Sequence, residues 1–191
     1  MENVKVVVDK IIIPTYPEPP AEEMPMFAEN RVHQRTSGRP YPNKVVLEVD
    51  RTHKEDKEYT LVTLENEYVK IEILPEIGGR IYSALDKRTG YDFFYKQHVI
   101  KPALIGVLGS WISGGVEFNW PFHHRASGFM PCDFTVETLA DGTGICHLSE
   151  HDPIDRMKGM FSIVLRPGET SFETRMRVYN RTNLKEYFYL Y

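Results

Sequence analysis

Apolar positions in this chain recur mostly at a spacing of two, and helical periodicity over ten or more residues is nearly absent. Residues 3–13, NVKVVVDKIII, are dense in Val and Ile with Lys and Asp interspersed. They predict a strand that Pro14 ends. A second strand is expected at 44–50, KVVLEVD, and a charged, solvated loop from Arg51 to Glu58. From Tyr59 the alternation is regular. YTLVTLEN, YVKIEILP and GGRIYSALD follow one another at roughly ten-residue intervals, broken by turn signals. A turn at 86–90, DKRTG, leads into YDFFYK. FTVETL at 134–139 and ICHLSE, joined by ADGTG, read as a hairpin, and MFSIVLRP and TSFETRMRVYN read as another. The stretch 99–113, VIKPALIGVLGSWIS, is expected to hold one short helix. The whole pattern predicts an all-β fold, an antiparallel β-sandwich.

The two ends read differently. Pro14, Pro17, Pro19, Pro20, Pro25, Pro40 and Pro42 crowd one segment. No helix interior or central strand tolerates that density. It predicts a proline-rich N-terminal arm, extended over the rest and anchored by Met24, Met26 and Phe27. The expected organisation is N-terminal strands and arm over 1–58 and the sandwich region over 59–191. At the far end, LKEYFYLY (184–191) is an aromatic, strand-like run with no stop signal. Unpaired, such a run invites aggregation. It is expected either to pair inside the domain or, the favoured reading, to lead into further chain beyond Tyr191.

Composition narrows the function classes. Apolar residues make up 41% of 191, enough for a core, and the net charge of −4 argues against a nucleic-acid partner. No apolar run approaches the ~20 residues of a membrane helix, so no membrane partner is expected. MENVKVVVDKIIIP lacks the features of a signal peptide, which makes a cytoplasmic location the expectation. Cys132 and Cys146 are too few for a disulfide framework and read as two thiols.

Candidate chemistry concentrates in 111–133, WISGGVEFNWPFHHRASGFMPCD. If Val116–Trp120 is extended, Glu117 and Asn119 share one face and Val116, Phe118 and Trp120 the other. A carboxylate beside an amide, with aromatic rings near, suits the vicinal hydroxyls and C–H faces of a pyranose. The structural alternative is a buried Glu117 paired with Arg125 or Arg80, holding a loop. The segment Leu74–Arg80, LPEIGGR, is equally a site or a tight hairpin with Arg80 tied to a carboxylate. Glu150, Asp152 and Asp155 read as a solvated turn, or as the source of a second carboxylate for glycoside chemistry. His147 and His151, four apart on a strand, would stand roughly 13 Å apart, too far to share an ion. Neither a metal nor a cofactor is expected.

These strings resemble a known family. EYTLVTLENEYVKIEILPEIGGRIYSALDKRTGYDFFY, WISGGVEFNWPFHHRASGFMPCDF and DRMKGM through VYNRTN are similar to the N-terminal region of domain-of-unknown-function family 5107 (DUF5107). The LP-x-x-GGRI string is shared more widely, with galactose-mutarotase-like proteins. That resemblance implies a β-supersandwich, here part of one, binding sugars on a concave face, within longer proteins that often carry helical repeats. It implies Glu117, His123 and His124 as catalytic candidates, with Arg80, Asn119 and Arg125 contacting substrate, and the aromatic residues Trp111 and Trp120 are read beside them as further substrate contacts. Three functions are then open: an enzyme acting at a glycosidic or anomeric centre, a sugar-binding module relying on Trp111 and Trp120, or a structural piece that docks to later domains or self-associates through an unfinished sheet edge.

Overall fold

The computed structural model describes residues 2–18, 20, 21, 23, 46, 49–104, 110–121, 124, 126–153 and 156–190. Among them there is no α-helix, and eleven strands form an antiparallel sandwich. The first sheet runs in sequence order through β1 (Lys5–Thr15), β2 (Glu55–Glu65), β3 (Val69–Leu74), β4 (Arg80–Asp86) and β5 (Tyr91–Asp92). A ribbon pairs β6 (Pro102–Leu104) with β7 (Ser110–Ile112). The second sheet is a meander of β8 (Asp133–Thr138), β9 (Gly144–His151), β10 (Met157–Leu165) and β11 (Phe172–Asn180).

The alternation dictates the packing. Val62, Leu64, Ile71, Ile73, Ile81 and Ala84 of the first sheet meet Cys146, Leu148, Phe161, Ile163 and Leu165 of the second in one apolar core. Burying such side chains contributes about 1.5–3 kcal/mol each. A smaller core joins Ile13, Tyr59, Leu74, Ile77 and Tyr82 to Ile100, Ile112 and Phe129 beneath the ribbon. Asn66 ties the β2–β3 turn to the β10–β11 turn. Its amide donates to the carbonyls of Arg166 and Glu169, and its Oδ1 accepts from the N–H groups of Tyr68 and Val69, all at 2.8 Å. Cys132 and Cys146 are thiols; burial pushes the Cys146 thiol up to about 12, so it is inert.

Several expectations need correction. β1 continues through Pro14 to Thr15, because it is an edge strand whose outer side needs no amide donor from the ring. There the Pro14 carbonyl accepts from Ile100 N–H at 2.9 Å. Half of the expected charged loop is strand: Glu55–Glu58 pair with Ile12–Thr15, their side chains exposed. The short helix expected within 99–113 is absent among the described residues; β6 and β7 stand there. The anchors Met24, Met26 and Phe27 and most of the arm lie outside the described residues, as does most of the expected strand at 44–50, where Val46 is buried. The run at 184–190 joins no sheet, and Leu184, Tyr187, Phe188, Tyr189 and Leu190 are exposed.

Candidate functional site

The β3–β4 connection sets the first residue. Pro75–Ile77 make a single 3-10 turn, closed by Gly78 in the left-handed region (φ 64°). Gly79 follows with φ 69°, where a Cβ would lie 2.8 Å from Leu148, so the chain reverses against the second sheet. LPEIGGR is therefore a tight hairpin, and it delivers Arg80 to the start of β4, 4% exposed.

The next residue arrives by a glycine-dependent close approach. Val116 bridges Ile81 antiparallel, its N–H donating to the Ile81 carbonyl at 2.9 Å. A Cβ on Gly115 (φ 68°) would stand 2.1 Å from that same carbonyl oxygen, so only glycine permits the bridge. Gly114 is also left-handed, and its carbonyl accepts from Arg80 Nη1. One residue past the bridge, Glu117 sits with Oε2 4.0 Å from Arg80 Nη2. The alternation then holds. Val116 packs on the core, and Phe118 and Trp120 enter it, Phe118 stacked 4.9 Å from Phe161.

Glu117 is the centre of the arrangement. Its Oε2 is 2.9 Å from Nδ1 of His124, and its side chain is only 11% exposed while that of His124 is 36% exposed. On the other side the Gly128 backbone presses close: a Cβ there would lie 2.5 Å from Oε1. Trp111, on β7, meets the His124 ring edge-on at 6.3 Å. A buried guanidinium and a tight backbone thus fix the carboxylate, and the carboxylate orients an imidazole that reaches the surface. Because an ionised carboxylate only accepts, the shared proton sits on Nδ1 and Nε2 carries the lone pair whenever the imidazole is neutral. Burial pushes the Arg80 guanidinium down, and Glu117 opposes that shift.

Three buried polar groups here have unmet hydrogen bonds among the described residues: Arg80 at Nε and Nη2, Asn119 at Oδ1 and Trp120 at Nε1. Buried polar atoms are nearly always paired, as Asn66 shows, so such a cluster needs a cause.

The sequence candidates divide accordingly. Arg80, Trp111, Glu117 and His124 come together. Asn119 is buried two residues beyond Glu117. Trp120 is corrected from substrate contact to core. It is 0% exposed, and a Cβ at Gly159 would sit 2.5 Å from its ring, so no face is open to a sugar. Arg80, also expected to contact substrate, is 4% exposed and faces Glu117 at 4.0 Å. His123, Arg125 and Asp155 lie outside the described residues. Glu150 ends up within β9, and Asp152 N–H donates to the Met157 carbonyl, closing the β9–β10 turn. Among the described residues, no group of three or more His, Cys, Asp or Glu is placed to hold a metal ion and no helix is long and apolar enough to cross a membrane. Gly128 was missed by sequence reasoning; only the Glu117 contact reveals its role.

The comparisons with known proteins fit this frame. A family described as "Domain of unknown function (DUF5107)" matches residues 37–191. Among solved structures, the chain is similar to a TPR-domain-containing protein from Parabacteroides distasonis, with a TM-score of 0.80 and 22% identity. The match covers 94% of this chain and 30% of that one, so the chain spans less than a third of that protein. At this identity the likeness shows the fold alone.

Proposed function

The chain belongs to the DUF5107 family, and from that premise we propose that it is a carbohydrate-handling domain whose ligand meets His124 beside Trp111. The observation that carries this reading is the Glu117–His124 pair: a buried, guanidinium-backed carboxylate orienting a half-exposed imidazole. Such a pair transfers protons at a hydroxyl or glycosidic oxygen, His124 giving and taking the proton at Nε2 while Glu117 stabilises the imidazolium. Glu117 is then a positioning residue. Trp111 supplies an apolar face for sugar C–H groups. In the longer proteins that carry this domain, the pair would act at a glycosidic or anomeric centre, with any second carboxylate supplied from elsewhere.

Thermal unfolding against a panel of mono- and oligosaccharides tests it. A ligand at 100 times its dissociation constant adds about 2.7 kcal/mol, a rise of roughly 5–10 °C at this size. A selective rise that His124→Ala removes supports the reading. A cooperative melt that no sugar moves counts against it, and favours the second reading, an assembly module. The exposed aromatic run at 184–190 is what speaks for that second reading.

A further inference from the structure

The outward face of the second sheet carries another set of reactive groups, far along the chain from Glu117. In the registers of β8, β9 and β10, His147 stands opposite Thr135 on one side and Ser162 on the other. Its Nδ1 is 2.8 Å from Ser162 Oγ, and its Nε2 is 2.8 Å from Oε1 of Glu137, diagonally across β8. The carboxylate can only accept, so the neutral ring carries its proton on Nε2. Nδ1 is then a lone pair that accepts from the Ser162 hydroxyl. Serine, imidazole and carboxylate are thus in line, each at hydrogen-bond distance and each in the role a nucleophilic triad requires. The three sit on adjacent strands, so the sheet ladder fixes their spacing.

The surroundings suit a reacting carbonyl. A cavity of about 150 Å³ is lined by His147, Met160, Ser162, Arg175, Met176 and Arg177. This is well below the 300–1,000 Å³ of a typical ligand pocket, so it admits a short acyl group. β10 is paired on both sides, which leaves no strand amides to form an oxyanion hole. Cations would have to serve instead. Arg175 is held by Glu173 through Nε at 2.7 Å, whereas Arg177 has no ion pair among the described residues.

We infer that Ser162, His147 and Glu137 form a second reactive site, a nucleophilic serine that hydrolyses esters of short acyl chains. Ser162 Oγ bonds to the ester carbonyl carbon as its proton passes to His147 Nδ1, and the carbonyl oxygen takes the negative charge beside Arg177. The carbon–alkoxy bond then breaks, and the leaving oxygen takes the proton from Nδ1. Water repeats the sequence on the acyl-serine: its oxygen bonds to the acyl carbon, its proton passes through Nδ1 to Ser162 Oγ, and a carboxylic acid leaves. Ester plus water gives acid plus alcohol, with no redox change.

The test begins with the unaltered protein. It is incubated with a fluorophosphonate probe, the modified residue is mapped by peptide mass spectrometry, and p-nitrophenyl acetate hydrolysis is followed in parallel. The expected result is an adduct at Ser162, formed about 100-fold faster than at any other serine, the range that a positioned base contributes. Ser162→Ala should abolish ester turnover, and His147→Ala should slow labelling by a similar factor, with the melting curves of both variants unchanged. No adduct at Ser162 in the folded, unaltered protein overturns the inference. So does ester turnover that survives Ser162→Ala. Because this readout does not involve sugar, it stands or falls apart from the His124 site.

Discussion

Apart from the exposed local pair of Asp50 with His53, two imidazole–carboxylate pairs of nearly equal length stand among the described residues, Glu117 with His124 at 2.9 Å and Glu137 with His147 at 2.8 Å. Their burial is reversed. Glu117 is 11% exposed beneath a His124 that is 36% exposed, while Glu137 is 48% exposed beside a His147 that is 28% exposed. The first pair is built on irregular backbone that needs Gly115 and Gly128 and is backed by Arg80. The second is built on regular strands, where register alone brings the groups together. The same two functional groups therefore do different things. Where the carboxylate is buried, the scaffold fixes it, and on the proposed function the imidazole is the group that meets the ligand. Where the carboxylate is exposed, the imidazole is clamped from both sides and the serine beyond it is the group to watch. Glu72 is a different case: Lys70 and Lys96 hold it at 2.7 and 2.9 Å, with no imidazole in the cluster.

The comparison can be broken most forcefully at its scaffold. Trp120→Ala should cost about 3–5 kcal/mol in urea unfolding, because the indole fills the core against Gly159 and Phe161. A loss under 1 kcal/mol would mean that the segment 116–120 packs otherwise. Next, Glu117→Gln and Glu137→Gln should differ. The first leaves the Arg80 guanidinium buried without its counter-charge and should cost about 3 kcal/mol, and the second, on the surface, should stay within ~0.5 kcal/mol. Equal effects would erase the distinction in burial. Gly128→Ala presses on a movable carboxylate end and should change stability by under about 1 kcal/mol, yet displace Glu117 from His124 and weaken any sugar-induced melting shift. An unchanged shift would remove Glu117 as the positioning group.

The smallest expected effect is in acid. Burial raises the Glu72 carboxyl, but hydrogen bonds and charge from Lys70 and Lys96 outweigh it and leave the group below its usual value. A carboxyl lowered on folding adds stability above its unfolded value and loses it as pH falls through the folded one. Glu72→Gln should therefore lower stability at pH 7 but barely at pH 2. Parallel stability–pH curves for the two proteins would show that the lysines contribute nothing.

The alternation of apolar and polar residues is legible along the chain. It places the strands from Tyr59 onward, and it separates Glu117 from Val116, Phe118 and Trp120 correctly. Ends and exceptions are harder, for physical reasons. Pro14 halts a strand only where its missing N–H is needed, and on an edge it is not. Charged Glu55–Glu58 look like loop, yet exposed strand tips tolerate charge. Residues 99–113 are apolar enough to suggest a helix, and local composition does not register that 102–104 and 110–112 pair as a ribbon over the second core. Trp120 illustrates a different limit. Its place on the apolar face is legible, but an aromatic ring looks alike from the sequence whether it meets a sugar or a core. The partner of Glu117 is open between Arg80 and Arg125 in the sequence, because only the Ile81–Val116 bridge brings Arg80 into reach. The Ser162–His147–Glu137 line is invisible until two hairpin registers are known together.

The most direct test of the central claim is sugar binding by titration calorimetry, with the ligand taken from the thermal panel, on the unaltered protein, His124→Ala and His147→Ala. Binding should be lost or weakened at least 10-fold by His124→Ala, with the fold's melt within about 1 kcal/mol of the original, and left within threefold by His147→Ala. Binding that survives His124→Ala, or that disappears with His147→Ala instead, would contradict the placement of the ligand site at the buried carboxylate.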